Sequence, residues 1–201
     1  MDAVMWMKRW WRQGVRSGAF LPFVVAACLA SGCAVRRAPT GLENTPAPDD
    51  RAPLEWAKTE PNLVVVDRSC RTVSFYRFGQ WVRTWDQVAL GQNPGVKEQE
   101  GDRRTPDGLY HISFKRHHDR WSRFMLLDYP NAKDIDVHRK RLAKGEVSRG
   151  PGGEVGIHGT DKPKLNETGY DWTWGCVSLM NKDVNELYEL APEGTLVLID
   201  D

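Results

Sequence analysis

Several things are missing from this 201-residue sequence, and each absence removes a class of function. Its N-terminal apolar run, "AFLPFVVAACLA" (residues 19–30), is shorter than the roughly 20 residues that a spanning helix needs. There is no extended basic tract. "HRKRLAK" (residues 138–144) is a local cluster of the kind carried on a solvated helix face, so nucleic acid is not an expected partner. No internal repeat is present, which excludes solenoids and propellers. Neither a C-x-x-C nor an H-x-x-x-H spacing occurs among the 4 cysteines and 5 histidines, and "RHHD" (residues 116–119) has no second ligand pair. No metal and no cofactor is therefore expected.

What is present begins with an export signal. Lys8, Arg9, Arg12 and Arg16 precede the apolar run, and "LASGCA" follows it. Small residues before a cysteine resemble a lipobox, with Ala30 where leucine is usual. This predicts a lipoprotein signal peptide over 1–32, cleavage after Gly32 and a lipid on Cys33. Ala34, rather than an acidic residue, favours anchoring to the outer membrane on the periplasmic side. Residues 33–53 are rich in Pro, Ala and charge and read as a flexible tether. Losing the signal turns the net charge of +1 slightly negative. Residues 54–201 are then one globular domain, long enough to bury a core.

Within that domain, short β-branched and aromatic runs alternate with turns. "NLVVVDRS" and "TVSFYRFG" read as a hairpin, followed by strands in "QWVRTWDQVALG", "LYHISFKRH", "RFMLLDYP", "GIHG" and "GTLVLID". "NAKDIDVHRKRLAKG" fits a short polar helix. "NKDVNELYELAPEG" fits a better one, capped by Asn181 or Asp183, with Val184, Leu187, Tyr188 and Ala191 on one face. The expected class is mainly β, a sandwich or partial barrel with two short helices, one directly after Cys176.

That cysteine carries the chemistry. In "TWGCVS" it follows Gly175 and precedes the predicted helix, a position where the positive end of a helix dipole favours thiolate. Backbone N–H groups near Gly175 are suited to an oxyanion hole. A nucleophilic cysteine needs a base, and His158 in "GIHG" lies eighteen positions upstream. The competing reading is a Cys70–Cys176 disulfide, the default for two cysteines in an oxidising compartment. The glycine before Cys176, the helix after it and His158 are unneeded for a staple. They favour a free Cys176 and leave Cys70 as a buried thiol.

These residues resemble the YkuD-type L,D-transpeptidase catalytic domain. "IHGT", "TWGCV", "GDRRTPDGLYHI" and "LLDYPNAKD" match its motifs in order, over most of residues 62–199. The resemblance implies Cys176 as the nucleophile that forms a thioester and His158 as general base. It implies that the Gly159 carbonyl orients the imidazole and that the amides of Trp174 and Gly175 form the oxyanion hole. Thr173, Ser178, Tyr129, Trp172 and Arg123 are the candidate substrate contacts. The implied substrate is a peptidoglycan tetrapeptide stem. Its acyl group passes to a second stem, giving a 3→3 cross-link, or to an amine of an envelope protein. Ser178 stands where many members carry Arg, so amidase or L,D-carboxypeptidase action with the same pair stays open, as does a silent wall-binding module.

Overall fold

Residues 59–201 are described by the computed structural model. The expected signal peptide, the tether, Cys33 and residues 54–58 lie outside the described residues. The element order is β1 (Leu63–Asp67), β2 (Thr72–Arg77), β3 (Gln80–Trp85), β4 (Gly108–His118), β5 (Ser122–Leu127), α1 (Ala132–Ala143), β6 (Gly156–His158), α2 (Pro163–Glu167), β7 (Val177–Ser178), α3 (Asn181–Leu190) and β8 (Leu196–Asp200).

Local chemistry accounts for most boundaries. Phe78 and Gly79 both adopt positive φ, 49° and 73°, as a two-residue turn matched to strand twist requires, and β2 and β3 close into a hairpin around them. Asn131 caps α1, accepting from the Lys133 and Asp134 amides, while the Asp134 carboxylate accepts from the Asn131 amide. Gly145, at φ 71°, lies just past the end of that helix. α3 buries Val184 and Leu187, followed by Ala191, against the core.

The eight strands form one mixed sheet in the order β3-β2-β1-β8-β4-β5-β6-β7. β1 and β8 pair in parallel, as do β6 and β7; the remaining pairs are antiparallel. β4 joins two halves, since Gly108–His111 pair with β8 and Ile112–His118 with β5, with a register shift between Ile112 and Phe114. The sheet is not closed. Isolated bridges, Ala89–Ser178 and Gly91–Thr173, link the segment after β3 to the far edge. The mainly β class holds, with a third helix, α2, too short to show a period in sequence. β7 intervenes between Cys176 and α3, so Cys176 is not at the helix N-terminus. Met180 is the N-cap, because the Asn181 Oδ1 accepts from the Thr160 amide at 2.8 Å. Among the described residues, no helix is long and apolar enough to cross a membrane.

Candidate active site

The site is built where β6 and β7 run side by side. His158 is in register with Ser178 and Ile157 with Val177, on strands about 4.8 Å apart. Alternation sends Ile157 and Val177 into the core, both fully buried. His158 points to the opposite face, together with Phe124, its register partner on β5. Cys176 lies two positions before Ser178, so the parallel pairing brings the two halves of the sequence motif together.

His158 is 2% exposed. Its Nδ1 lies 2.6 Å from the Gly159 carbonyl, an arrangement that places the proton on Nδ1 and leaves the Nε2 lone pair basic. The imidazole stacks on Trp121 (centroids 4.2 Å, 19° between planes) and meets Trp172 edge to face at 5.8 Å. Trp121 in turn stacks on His118 at 4.4 Å. Burial pushes the His158 pKa down to about 4, against the opposing pull of the Gly159 carbonyl. The imidazole is therefore neutral and able to accept a proton.

Gly159 has no room for a side chain: a Cβ would lie 2.2 Å from the Asn181 Oδ1 and 2.3 Å from the Trp121 carbonyl. Its amide donates to the carbonyls of Trp121 and Arg123. The chain after β6 is thus strapped to the β4–β5 hairpin, and the imidazole's acceptor is held still.

Cys176 is a free cysteine, half-buried, and its thiol donates to the Glu154 carbonyl at 3.6 Å. Burial pushes that thiol up to about 11, outweighing its contact with the Gly156 backbone. This corrects the expected dipole-stabilised thiolate: burial of the sulfur outweighs any help from α3, which begins only after β7. Cys70 is half-exposed rather than buried as expected, and Cys176 is free, so the two are not joined.

The other predicted residues divide sharply. Thr173 is buried, its hydroxyl donating to the Cys176 carbonyl at 2.7 Å and accepting from the Gly175 amide at 3.2 Å. Thr173 therefore shapes the turn and does not face a substrate. The Gly175 amide is spent on it and is not an oxyanion donor. The amides of Trp174 and Cys176 take no intramolecular hydrogen bond among the described residues. Ser178 is fully buried, and its hydroxyl donates to the Gly159 carbonyl at 3.2 Å, so it does not contact substrate either. Tyr129 belongs to the core, with its hydroxyl on the Pro151 carbonyl. Arg123 lies on the α3 face of the sheet, opposite His158, with its guanidinium 5.1 Å from the Tyr188 ring and bonded to His117. Trp172 walls the imidazole and carries Lys162 over its ring at 4.8 Å. Trp174 is 75% exposed beside Cys176, with Arg103 over its ring at 5.3 Å.

Trp121 is a residue that by its type could stack on a sugar or peptide or simply pack, and the structure stacks it on His158; no sequence signal marks Glu154 or Asn166. Trp121 lies in a hairpin turn and Asn166 in a five-residue helix, where no periodicity marks a residue as facing a site. Among the described residues, no group of His, Cys, Asp and Glu is placed to hold a metal ion.

Comparison with known proteins bears on the family and the fold. Residues 61–199 match the family model of the L,D-transpeptidase catalytic domain (YkuD). The sequence matches no curated protein. Similar solved structures include the helical cell shape determining protein Pgp2 from Campylobacter jejuni, 20% identical over 70% of this chain and 47% of that one, with a TM-score of 0.51. Bd1075 from Bdellovibrio bacteriovorus is 20% identical over 71% and 48%, also with a TM-score of 0.51. An L,D-transpeptidase from Xylanimonas cellulosilytica is 19% identical over 70% and 61%, with a TM-score of 0.48. The chain spans less than two thirds of the length of each, and at these identities the likeness concerns the fold.

Proposed function

We propose, for a chain that belongs to the L,D-transpeptidase catalytic domain family, that Cys176 and His158 transfer an acyl group from a peptidoglycan tetrapeptide stem through a thioester. The observation that carries this reading is the His158 Nδ1 contact with the Gly159 carbonyl, on a strand paired in parallel with the chain that bears Cys176. It leaves Nε2 as the base of the pair.

The thiol proton passes to Nε2 as sulfur attacks the carbonyl of the third stem residue. The free amides of Trp174 and Cys176 are the donors suited to the developing oxyanion. The C–N bond to the terminal D-alanine breaks, and the imidazolium returns its proton to the leaving amine. An acceptor amine, from a second stem or an envelope protein, then attacks the thioester carbonyl and releases the thiol.

Water in place of the amine would give L,D-carboxypeptidase action, and buried Ser178 brings no cation to steer an acceptor. Export to the cell envelope, and a lipid on Cys33 holding the domain at the outer membrane, complete the proposal. The test is mass spectrometry of the protein with disaccharide-tetrapeptide, beside Cys176→Ala. A 3→3 dimer absent from the control supports transpeptidation, and tripeptide alone supports the carboxypeptidase. Unchanged tetrapeptide sinks both.

A further inference from the structure

Asn166 is fully buried, the one buried residue of the five-residue helix α2. Burying an amide side chain is costly unless its donors and acceptor are paired. Here they are. Nδ2 donates to the carbonyls of Gln87 at 3.0 Å and Ser178 at 2.9 Å, and Oδ1 accepts from the Trp172 indole at 2.9 Å. Nδ2 also lies 3.4 Å from the Ser178 hydroxyl.

These partners share a further property: two of them reach His158 from different sides. Ser178 donates through its hydroxyl to the Gly159 carbonyl, the same oxygen that holds the imidazole Nδ1. Trp172 sets its ring edge against the imidazole at 5.8 Å. The contacts close a ring: His158 to the Gly159 carbonyl, to Ser178, to Asn166, to Trp172, and back to His158. Every side chain in it is less than 10% exposed. A buried network in which the Asn166 amide, the Ser178 hydroxyl and the His158 Nδ1 are all paired favours one geometry, because a rearrangement leaves one of them unpaired.

We propose that Asn166 is a positioning residue for His158, fixing the orientation and tautomer of the imidazole through Ser178 on one side and Trp172 on the other. This rests on the reading of His158 as the general base. Asn166 touches no reacting atom. It holds the Ser178 main chain so that the hydroxyl meets the Gly159 carbonyl, and it holds the indole that packs against the imidazole. Ser178 is thereby a part of the base's support, which accounts for a fully buried serine two residues after the nucleophile.

The test uses the full-length protein and two variants, Asn166→Asp and Ser178→Ala. Asn166→Asp keeps the acceptor for Trp172 and loses both donors; Ser178→Ala removes one hydroxyl. Asn131→Ala, which uncaps the distant helix α1, controls for a general loss of stability. The readouts are the ¹⁵N imidazole spectrum of His158 and steady-state D-alanine release from tetrapeptide. In the wild-type protein the spectrum is expected to show a single Nδ1–H tautomer. Both ring variants should shift it toward a mixture and lower kcat by about 10- to 100-fold, the scale of a misplaced catalytic group. KM should stay within about twofold. Asn131→Ala should leave spectrum and kcat unchanged. Wild-type spectra and kcat in folded Asn166→Asp and Ser178→Ala would overturn the proposal. So would losses that match those of Asn131→Ala at equal stability. Should Asn166→Asp not fold, Ser178→Ala alone decides. A wild-type protein that releases no D-alanine would defeat the peptidoglycan reading, and the spectra would still decide the positioning role.

Discussion

The indole of Trp121 lies parallel to the imidazole of His158, with ring centroids 4.2 Å apart. His118 stacks on the same indole, with ring centroids 4.4 Å apart. Trp121 sits in the hairpin turn, and its carbonyl accepts from the Gly159 amide, so backbone and side chain of one residue brace both the imidazole and the carbonyl it bonds. Trp121→Leu should destabilise the domain by about 1–3 kcal/mol, combining lost contact area with a lost aromatic pair. It should lower kcat more than it raises KM. Thermal unfolding and steady-state kinetics on one preparation check this; a change in KM alone would place Trp121 in substrate binding instead.

The pH dependence of Cys176 alkylation follows from its surroundings. With burial holding the thiol up to about 11, the thiolate fraction at neutral pH is small. The iodoacetamide rate should rise close to tenfold per pH unit from about pH 7 to 10, as only the thiolate reacts. A plateau reached below pH 8 would mean that the imidazole already holds a thiolate in the resting protein.

Acid should weaken the fold through His158. Its folded pKa, about 4, lies below the ordinary 6.5, so between these values the unfolded chain binds the extra proton. Stability is fully present above pH 6.5 and is lost as pH falls toward 4. The loss approaches about 3 kcal/mol, from the linkage of pKa to stability. Denaturant titrations at pH 7 and pH 4 on wild type and His158→Gln should differ by that amount; equal pH sensitivity would assign the loss to other groups.

Gly175 should not tolerate a side chain. It adopts φ 132°, where L residues are strained, and a Cβ would lie 2.8 Å from the Arg104 carbonyl. Gly175→Ala should cost about 1–3 kcal/mol and displace the turn that carries Cys176. Calorimetry and the tetrapeptide assay should fall together. Full activity at a wild-type Tm would mean that the 101–105 loop yields instead.

Trp174 should behave oppositely. It is exposed, and its ring carries Arg103, whose guanidinium also donates to the Gln92 side chain at 2.8 Å. Trp174→Ala should change stability by no more than about 0.5 kcal/mol, as for a surface site. It should raise KM for tetrapeptide about threefold to tenfold, the worth of one aromatic contact. Isothermal titration against Cys176→Ala and the double variant separates binding from turnover.

Local order was legible because it depends on neighbours in sequence. β-branched runs marked β1, β2 and β8, Asn131 and Gly145 bounded α1, and the 3.6-residue spacing of Val184, Leu187 and Ala191 marked the buried face of α3. β7, with two residues, and α2, with five, were not legible, because neither is long enough for a period. The same limit applies to Cys176: the helix is near it in sequence, but four residues, two of them the strand β7, separate the two.

Sequence by itself determined the catalytic family, the spacing of His158 and Cys176, and the mainly β architecture, since these are written in residue type and order. Only the tertiary structure decided which side chains face the imidazole. The face of each strand depends on register, and register placed Arg123 on the α3 side, buried Ser178 beneath the Gly159 carbonyl, and left Trp174 in solvent. It also brought Trp121 against the imidazole of His158 and Asn166 behind the Trp172 that meets the same ring, though the two are far apart in the chain. Burial there shifts both the His158 imidazole and the Cys176 thiol toward their neutral forms, because desolvation depends on everything packed around a group and on no single neighbour in sequence.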